Sequence, residues 1–232
     1  MPLVYLIPAP LHDETVAVLP AYLLGAVRQC QVLFVENERS ARRYLKKLDP
    51  SIVIDAFEWF TIHKAEEAVQ QQFIQKLNEG KTIGIISEAG CPGVADPGQL
   101  LVETAWRRHA TVKPLVGPSS ILLALMASGF NGQQFCFQGY LPVDAAQRTR
   151  KLKQLEEISA KQKSTQIFIE TPYRNNQLLE SILKNCDPRT RLCVAVDLTA
   201  SSEEIHVATI RDWQQKKTDL HKRPAIFLLY AG

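Results

Sequence analysis

Short aliphatic runs alternate along the chain with longer stretches in which apolar residues return every third or fourth position. In the first half, residues 3–7, 32–36, 52–56, 82–87 and 111–115 are rich in β-branched and aliphatic side chains and predict strands. The segments between them predict helices. The clearest is 66–78, where Val69, Phe73 and Leu77 stand four apart with Ile74 beside them and Gly80 follows as a stop. Strand, helix, strand, helix in this order implies a parallel sheet with right-handed crossovers. The second half has a different rhythm, with strands at 135–140, 165–170, 191–197, 205–210 and 225–230 and helices at 148–159 and 175–185. Residues 197–204 are too few for a helical crossover, so the strands on either side are expected to pair antiparallel. The fold class is therefore α/β: two α/β domains, residues 1–116 built on a parallel sheet and residues 117–232 on a mixed one. No internal repeat is visible.

A parallel sheet of this kind binds ligands outside the carboxyl ends of its strands, which directs attention to the loops after Ile7, Glu36 and Ser87. The third loop is the most informative. It reads Ser87-Glu-Ala-Gly-Cys-Pro-Gly-Val-Ala-Asp-Pro-Gly98, and Gly90, Gly93 and Gly98 allow backbone to come close to a ligand. Asp96 before Pro97 also suits a helix start, so a capping role stands beside a binding one. A second turn, Val116-Gly-Pro-Ser-Ser120, opens an apolar helix with Ser119 and Ser120 in its first turn. There the serines either cap the helix or lend its unpaired N–H groups to a ligand. A third segment, Ile167-Phe-Ile-Glu-Thr-Pro-Tyr-Arg174, sets Glu170 and Arg174 four apart around a proline turn as a polar pair.

Composition narrows the class. Of 232 residues, 46% are apolar and 22% charged, enough to build a core in each half. No apolar run reaches the ~20 residues that span a bilayer, and residues 1–7 lack the basic and apolar regions of a signal peptide, so a cytoplasmic location without membrane association is expected. The five cysteines are scattered without Cys-x-x-Cys or metal spacing, so reduced thiols and no metal site are expected. A net charge of +3 is too small to signal nucleic-acid binding alone. The basic residues do cluster, however: Arg39, Arg42 and Arg43 with Lys46 and Lys47 on one helix, and Arg148, Arg150, Lys151 and Lys153 on another. Each cluster reads as a solvated helix face or as a phosphate track.

Taken in order, the glycine-rich loop, Gly117-Pro-Ser-Ser120, Phe137-Gln-Gly-Tyr-Leu-Pro142, Glu170-Thr-Pro-Tyr-Arg174 and Asp197-Leu-Thr199 resemble the tetrapyrrole methylase superfamily, and within it the ribosomal RNA small-subunit methyltransferase I family. The resemblance runs from about residue 32 to 230. It implies two α/β domains with S-adenosyl-L-methionine in the cleft between them. Carried over by position, it points to Glu88, Ala89, Gly90 and Asp96 on one wall and Ser119 and Ser120 on the next. Leu141, Ile169 and Ala225 would be approximate contacts from the second domain. It also implies ribosomal RNA as partner and acceptor at a ribose 2′-oxygen, and a homodimer. The chain departs from the family pattern in its first loop, Pro8-Ala-Pro-Leu-His-Asp-Glu-Thr15, which lacks a Gly-Asn pair. It also has Glu88 where the family carries the shorter acid, and no counterpart of the family's C-terminal extension.

Methyl transfer from a sulfonium is an in-line displacement whose leaving group departs neutral, so positioning does most of the work and a hydroxyl acceptor gains from a base. Glu36, at the end of the second predicted strand, is the candidate base or acceptor anchor; the competing reading makes it the cap of the helix that follows. Glu170 is the alternative acid. Arg39, Arg42, Arg43 and Arg174 are the candidate substrate contacts. Cys91 has no base partner and is read as a packing residue. Two other functions fit the same residues: methylation of a small-molecule acceptor such as a tetrapyrrole, and S-adenosylmethionine binding without turnover.

Overall fold

The computed structural model describes residues 2–62 and 66–232, the side chain of Glu66 excepted. The chain forms two compact units, Met1–Ser119 and Ser120–Gly232, divided inside the Gly-Pro-Ser-Ser segment.

The first unit runs β1 (Leu3–Ile7), α1 (Leu23–Gln29), β2 (Val32–Val35), α2 (Glu38–Leu48), β3 (Glu58–Thr61), α3 (Glu66–Asn78), β4 (Thr82–Ile86), α4 (Gln99–Arg107) and β5 (Thr111–Pro114). Its sheet has the order β3-β2-β4-β1-β5, and every neighbouring pair is parallel. Both faces are covered, which is why its inner strands read as unbroken apolar runs. On one face Ile7, Leu33 and Val35 pack with Leu23, Val27 and Leu45 of α1 and α2. On the other, Phe34, Ile83 and Ile85 pack with Phe73 and Leu77 of α3 and Leu101 of α4. Side chains buried this completely contribute about 1.5–3 kcal/mol each.

One strand lies elsewhere than its sequence suggested. Residues 52–56 are not a strand: Ile54–Ala56 forms a single tight helical turn, and the strand beside β2 is Glu58–Thr61. The aromatic pair decides this. Phe60 stacks on Phe34 with centroids 4.9 Å apart, while Trp59 faces the opposite layer and donates its indole N–H to the Ile54 carbonyl at 3.1 Å. Two large rings on alternate faces outweigh a shorter β-branched run.

The second unit comprises α5 (Ser120–Ser128), β6 (Phe135–Tyr140), α6 (Ala145–Gln162), β7 (Thr165–Ile169), α7 (Asn175–Asn185), β8 (Arg191–Val196), β9 (Glu204–Thr209), α8 (Ile210–Trp213) and β10 (Ala225–Tyr230). The sheet order is β6-β7-β10-β8-β9. Only β6 and β7 are parallel; β10 is antiparallel to both β7 and β8, and β8 to β9 as the short 197–204 link requires. Helix α6 is longer than the spacing of its apolar residues indicated, because Asp144 caps it by accepting from the Gln147 N–H at 2.8 Å and the left-handed Lys163 ends it. Ile210 leaves the strand expected at 205–210 and opens α8, whose Trp213 is buried with its N–H on the Leu192 carbonyl at 2.9 Å. Among the described residues no helix is long and apolar enough to cross a membrane.

Candidate functional site

In the first unit the strands end at Val35 and Ile86, so Glu36, Ser87 and Glu88 stand in the loops at the carboxyl edge of the sheet. Asn37, not Glu36, caps α2: its side chain accepts from the N–H groups of Arg39 at 3.0 Å and Ser40 at 3.2 Å. Glu36 is thereby left to turn toward β4, where its Oε1 accepts the Glu88 N–H at 3.0 Å. The Ser40 hydroxyl donates to the Glu88 carboxylate, so α2 and the end of β4 are joined through side chains as well.

The glycine-rich loop is held by its own backbone. Gly90, at φ +75, exchanges hydrogen bonds with Ala9 at 2.9 and 3.0 Å, and the Ser87 hydroxyl closes on the Gly90 carbonyl at 2.7 Å. The loop after β1 is thus fastened to the loop after β4, and Tyr44 adds a bond to the Pro8 carbonyl at 2.8 Å. Gly117 lies so close to this turn that a Cβ there would fall 2.1 Å from Pro8 Cβ. Asp96 does not cap α4 directly, since Gly98 holds the cap position. Instead its Oδ1 accepts from Gly93 N–H at 3.1 Å and Gly98 N–H at 2.6 Å, which closes the loop upon the acid. Ala89 and Glu88 are exposed at its tip. Cys91 packs its sulfur toward the carbonyls of Gly117 and Pro118, and burial raises its thiol pKa, so packing is its role.

These contacts set the proton affinity of Glu36. Partial burial raises its pKa from 4.5 to about 7, opposed by the Glu88 N–H and reinforced by a side-chain hydrogen bond with Asp96 and by the charges of Asp96 and Glu88. Glu36 is thus held partly protonated near neutral pH by its burial and by the neighbouring Asp96. Sequence reasoning put Glu36 in the crevice but missed this partnership. The Asn-x-x-Ser spacing that opens α2 was the signal that Glu36 need not be the cap.

In the second unit, pairing brings Leu141, Ile169 and Ala225 to one end of the sheet: Tyr140 stands beside Ile169, and Ile226 beside Ile169 across the next strand pair. Ser120 opens α5. Glu170, buried, accepts from Arg174 at 2.7 and 3.0 Å and from the Thr171 N–H at 2.7 Å, all on Oε1. The expected polar pair therefore forms, and it engages both of its members. Asp197 accepts from Arg223 at 2.8 Å and from Ser202 at 3.0 Å.

Of the candidate substrate contacts on α2, Arg39 is exposed without an ion pair among the described residues. Arg42 is paired with Glu38 at 2.6 Å and lies over Trp59, and Arg43 is paired with Asp13 at 3.1 Å. Exposed pairs of this kind are worth about 0–1 kcal/mol and exchange readily. The second basic cluster is not a surface track at its first member: Arg148 is buried, because the helix begins three residues before it and turns that side inward.

Solved methyltransferases share the fold of this chain. It matches the structure of the methyltransferase CobJ with a TM-score of 0.65 at 16% identity, covering 99% of this chain and 93% of that one. It matches uroporphyrin-III C-methyltransferase from Thermus thermophilus complexed with S-adenyl homocysteine with a TM-score of 0.58 at 17% identity, covering 98% of this chain and 96% of that one. At these identities the likeness is one of fold. Residues 15–214 match the family model described as Tetrapyrrole (Corrin/Porphyrin) Methylases, and the chain belongs to that family. Among its relatives in sequence are the ribosomal RNA small subunit methyltransferase I of Vibrio cholerae, 27% identical over 99% of this chain and 77% of the relative, and that of Mesorhizobium japonicum, 31% identical over 90% of this chain and 68% of the relative.

Proposed function

We propose that the protein is an S-adenosyl-L-methionine-dependent methyltransferase that acts on a ribose hydroxyl of small-subunit ribosomal RNA. The observation that carries this reading is Glu36: an acid at the carboxyl edge of a methylase-family sheet, with a pKa near 7 and a fixed hydrogen-bond partner on the cofactor-type loop. The names of the sequence relatives supply the acceptor, and the S-adenyl homocysteine in the Thermus thermophilus structure supports the cofactor.

The residues fit such a cofactor. Gly90 and Gly93, at φ +75 and +79, hold backbone conformations open to glycine, and side chain is absent where the loop bends. Glu88, Ala89, Gly90, Asp96 and Ser119 are the residues of the first unit that would hold the cofactor; Ser120, Leu141, Ile169 and Ala225 are the candidate contacts within the second unit taken by itself. When bound, the cofactor supplies an electrophilic methyl group. The chain's own part is to orient the acceptor hydroxyl and receive its proton at Glu36 as the new C–O bond forms. A base whose pKa lies near working pH is suited to that transfer, an effect worth roughly 10²–10⁴ in rate. Arg39, and Arg42 and Arg43 after exchange of their surface pairs, would meet backbone phosphates.

The test is incubation with methyl-labelled S-adenosylmethionine and either isolated small-subunit RNA or the assembled small subunit, followed by nucleoside mass spectrometry. Label on a ribose oxygen is the expected result. Label entering a porphyrinoid but neither form of RNA would transfer the reading to a small-molecule acceptor.

A further inference from the structure

The arginines of this chain that are drawn toward its interior or across its surface typically end on a carboxylate: Arg28 on Asp49, Arg42 on Glu38, Arg174 on Glu170, Arg223 on Asp197. Arg148 does not. It is 4% exposed, the one arginine among the buried residues, yet among the described residues it has no acidic partner. Its Nη1 donates to the Val143 carbonyl at 3.0 Å, and its Nε is buried with no acceptor at all. A guanidinium cannot shed its proton, and a single neutral carbonyl does not offset the loss of water around a full charge. Arg148 therefore has no counterion among the described residues.

Its position says where one would come from. Val143 belongs to the short loop between β6 and α6, two residues beyond Leu141, at the sheet end where Leu141, Ile169 and Ala225 gather. That end carries the second unit's candidate ligand contacts. The Nε edge of a guanidinium offers two parallel donors spaced for the two oxygens of a carboxylate or phosphate. We propose that Arg148 is an oxyanion-binding residue, its Nε edge completed by an anionic oxygen pair of a ligand seated at this sheet end. The choice of ligand rests on the proposed function, which offers two sources of that chemistry: the amino-acid carboxylate of the cofactor and a phosphodiester of the RNA.

A residue kept for binding and one kept for bracing a loop differ in what their loss does to the empty protein. Replacing an uncompensated buried charge by an apolar side chain of similar length removes a desolvation cost, so Arg148→Met is expected to melt a few degrees higher than the parent when no ligand is present. The same variant is then titrated with S-adenosylhomocysteine, with methylthioadenosine, which lacks the carboxylate, and with inorganic phosphate, by calorimetry and thermal shift. A tenfold or greater loss of affinity for S-adenosylhomocysteine with methylthioadenosine unchanged identifies the carboxylate. Loss of the phosphate-induced shift with S-adenosylhomocysteine unchanged identifies the phosphodiester. Arg148→Lys, which keeps the charge but loses the fork, is expected to fall between. A lower melting temperature in Arg148→Met with every titration as in the parent would overturn the proposal and make Arg148 a brace. A parent protein that ignores S-adenosylhomocysteine but is stabilised by phosphate through Arg148 would instead overturn the proposed cofactor and leave this inference standing. A parent indifferent to all three probes overturns both.

Discussion

The backbone N–H of Glu88 donates to the carboxylate of Glu36 at 3.0 Å, so the ends of β2 and β4 are tied through an acid whose pKa is about 7. The bond works against protonation while burial and Asp96 work for it, and the balance falls in the physiological range. This relationship sets the first prediction. Glu36→Gln keeps an acceptor for the Glu88 N–H but cannot take a proton, so methyl transfer should fall about 10²–10⁴-fold with S-adenosylhomocysteine affinity nearly unchanged. Single-turnover kinetics across pH check it: the parent rate should rise through about pH 7, and the variant profile should be flat there.

The same group makes stability depend on pH in a direction opposite to that of an ordinary ion-paired acid. Its pKa is higher in the folded chain than the 4.5 of an exposed glutamate, so between pH 4.5 and about 7 the folded state binds more protons than the unfolded one. The contribution of Glu36 is therefore fully present below pH 4.5 and lost as pH rises through about 7. Thermal unfolding from pH 5 to 8 should show Glu36→Gln gaining on the parent as pH rises; a constant difference between the two would contradict the raised pKa of Glu36.

Asp96 separates loop closure from charge. Asp96→Asn can still accept the Gly93 and Gly98 N–H groups, so the melting temperature should change little. Removal of the negative charge should nevertheless lower the Glu36 pKa, moving the inflection of the rate profile toward acid. Asp96→Ala should lose the loop bonds as well and cost about 1–2 kcal/mol in denaturant unfolding.

Gly117 tests how tightly the strand-end loops are fastened. A methyl group at this position would lie 2.1 Å from Pro8 Cβ and 2.4 Å from Pro8 Cγ, atoms of a rigid ring that cannot swing aside. Gly117→Ala should cost about 1–3 kcal/mol and weaken cofactor binding through the displaced loop. Urea denaturation paired with calorimetry would read both effects.

Arg174 tests whether its pair with Glu170 is architecture. The Glu170 side chain is 1% exposed and that of Arg174 is 36% exposed, so Arg174→Met leaves a buried acceptor with only the Thr171 N–H and should destabilise by about 1–3 kcal/mol. Glu170→Gln in the Arg174→Met background should recover much of that loss, because the neutral amide needs no counterion. A double-mutant cycle in denaturant unfolding measures it.

The parallel half of the fold was legible because its inner strands are buried on both faces and announce themselves as unbroken aliphatic runs. β3 escaped because Glu58 and Thr61 dilute its signal, and what places it is the stack of Phe60 on Phe34, a contact between strands that no local window contains. The antiparallel link across 197–204 was legible from length alone. At the site, the glycine-rich loop marked itself by composition, and Glu36 by falling at a strand end. The effect of Asp96 on the Glu36 pKa was not readable, since it joins residues 60 positions apart whose approach depends on how the loop closes over its own N–H groups. The burial of Arg148 was hidden for the complementary reason. A run of basic residues looks solvated until a cap fixes the rotation of the helix, and here Asp144 turns its first arginine inward.

The position of β10 has a consequence for how the protein is made. Ala225–Tyr230 fills the slot between β7 and β8, so until the ribosome has delivered those residues the β6–β7 pair and the β8–β9 hairpin share no backbone bonds. The first unit is under no such constraint, since its last strand is finished at Pro114. Synthesis from the N-terminus would therefore release a half with its own sheet completed while the other still waits with two open strand edges. That interval is when the nascent chain is most exposed to aggregation and most in need of a chaperone.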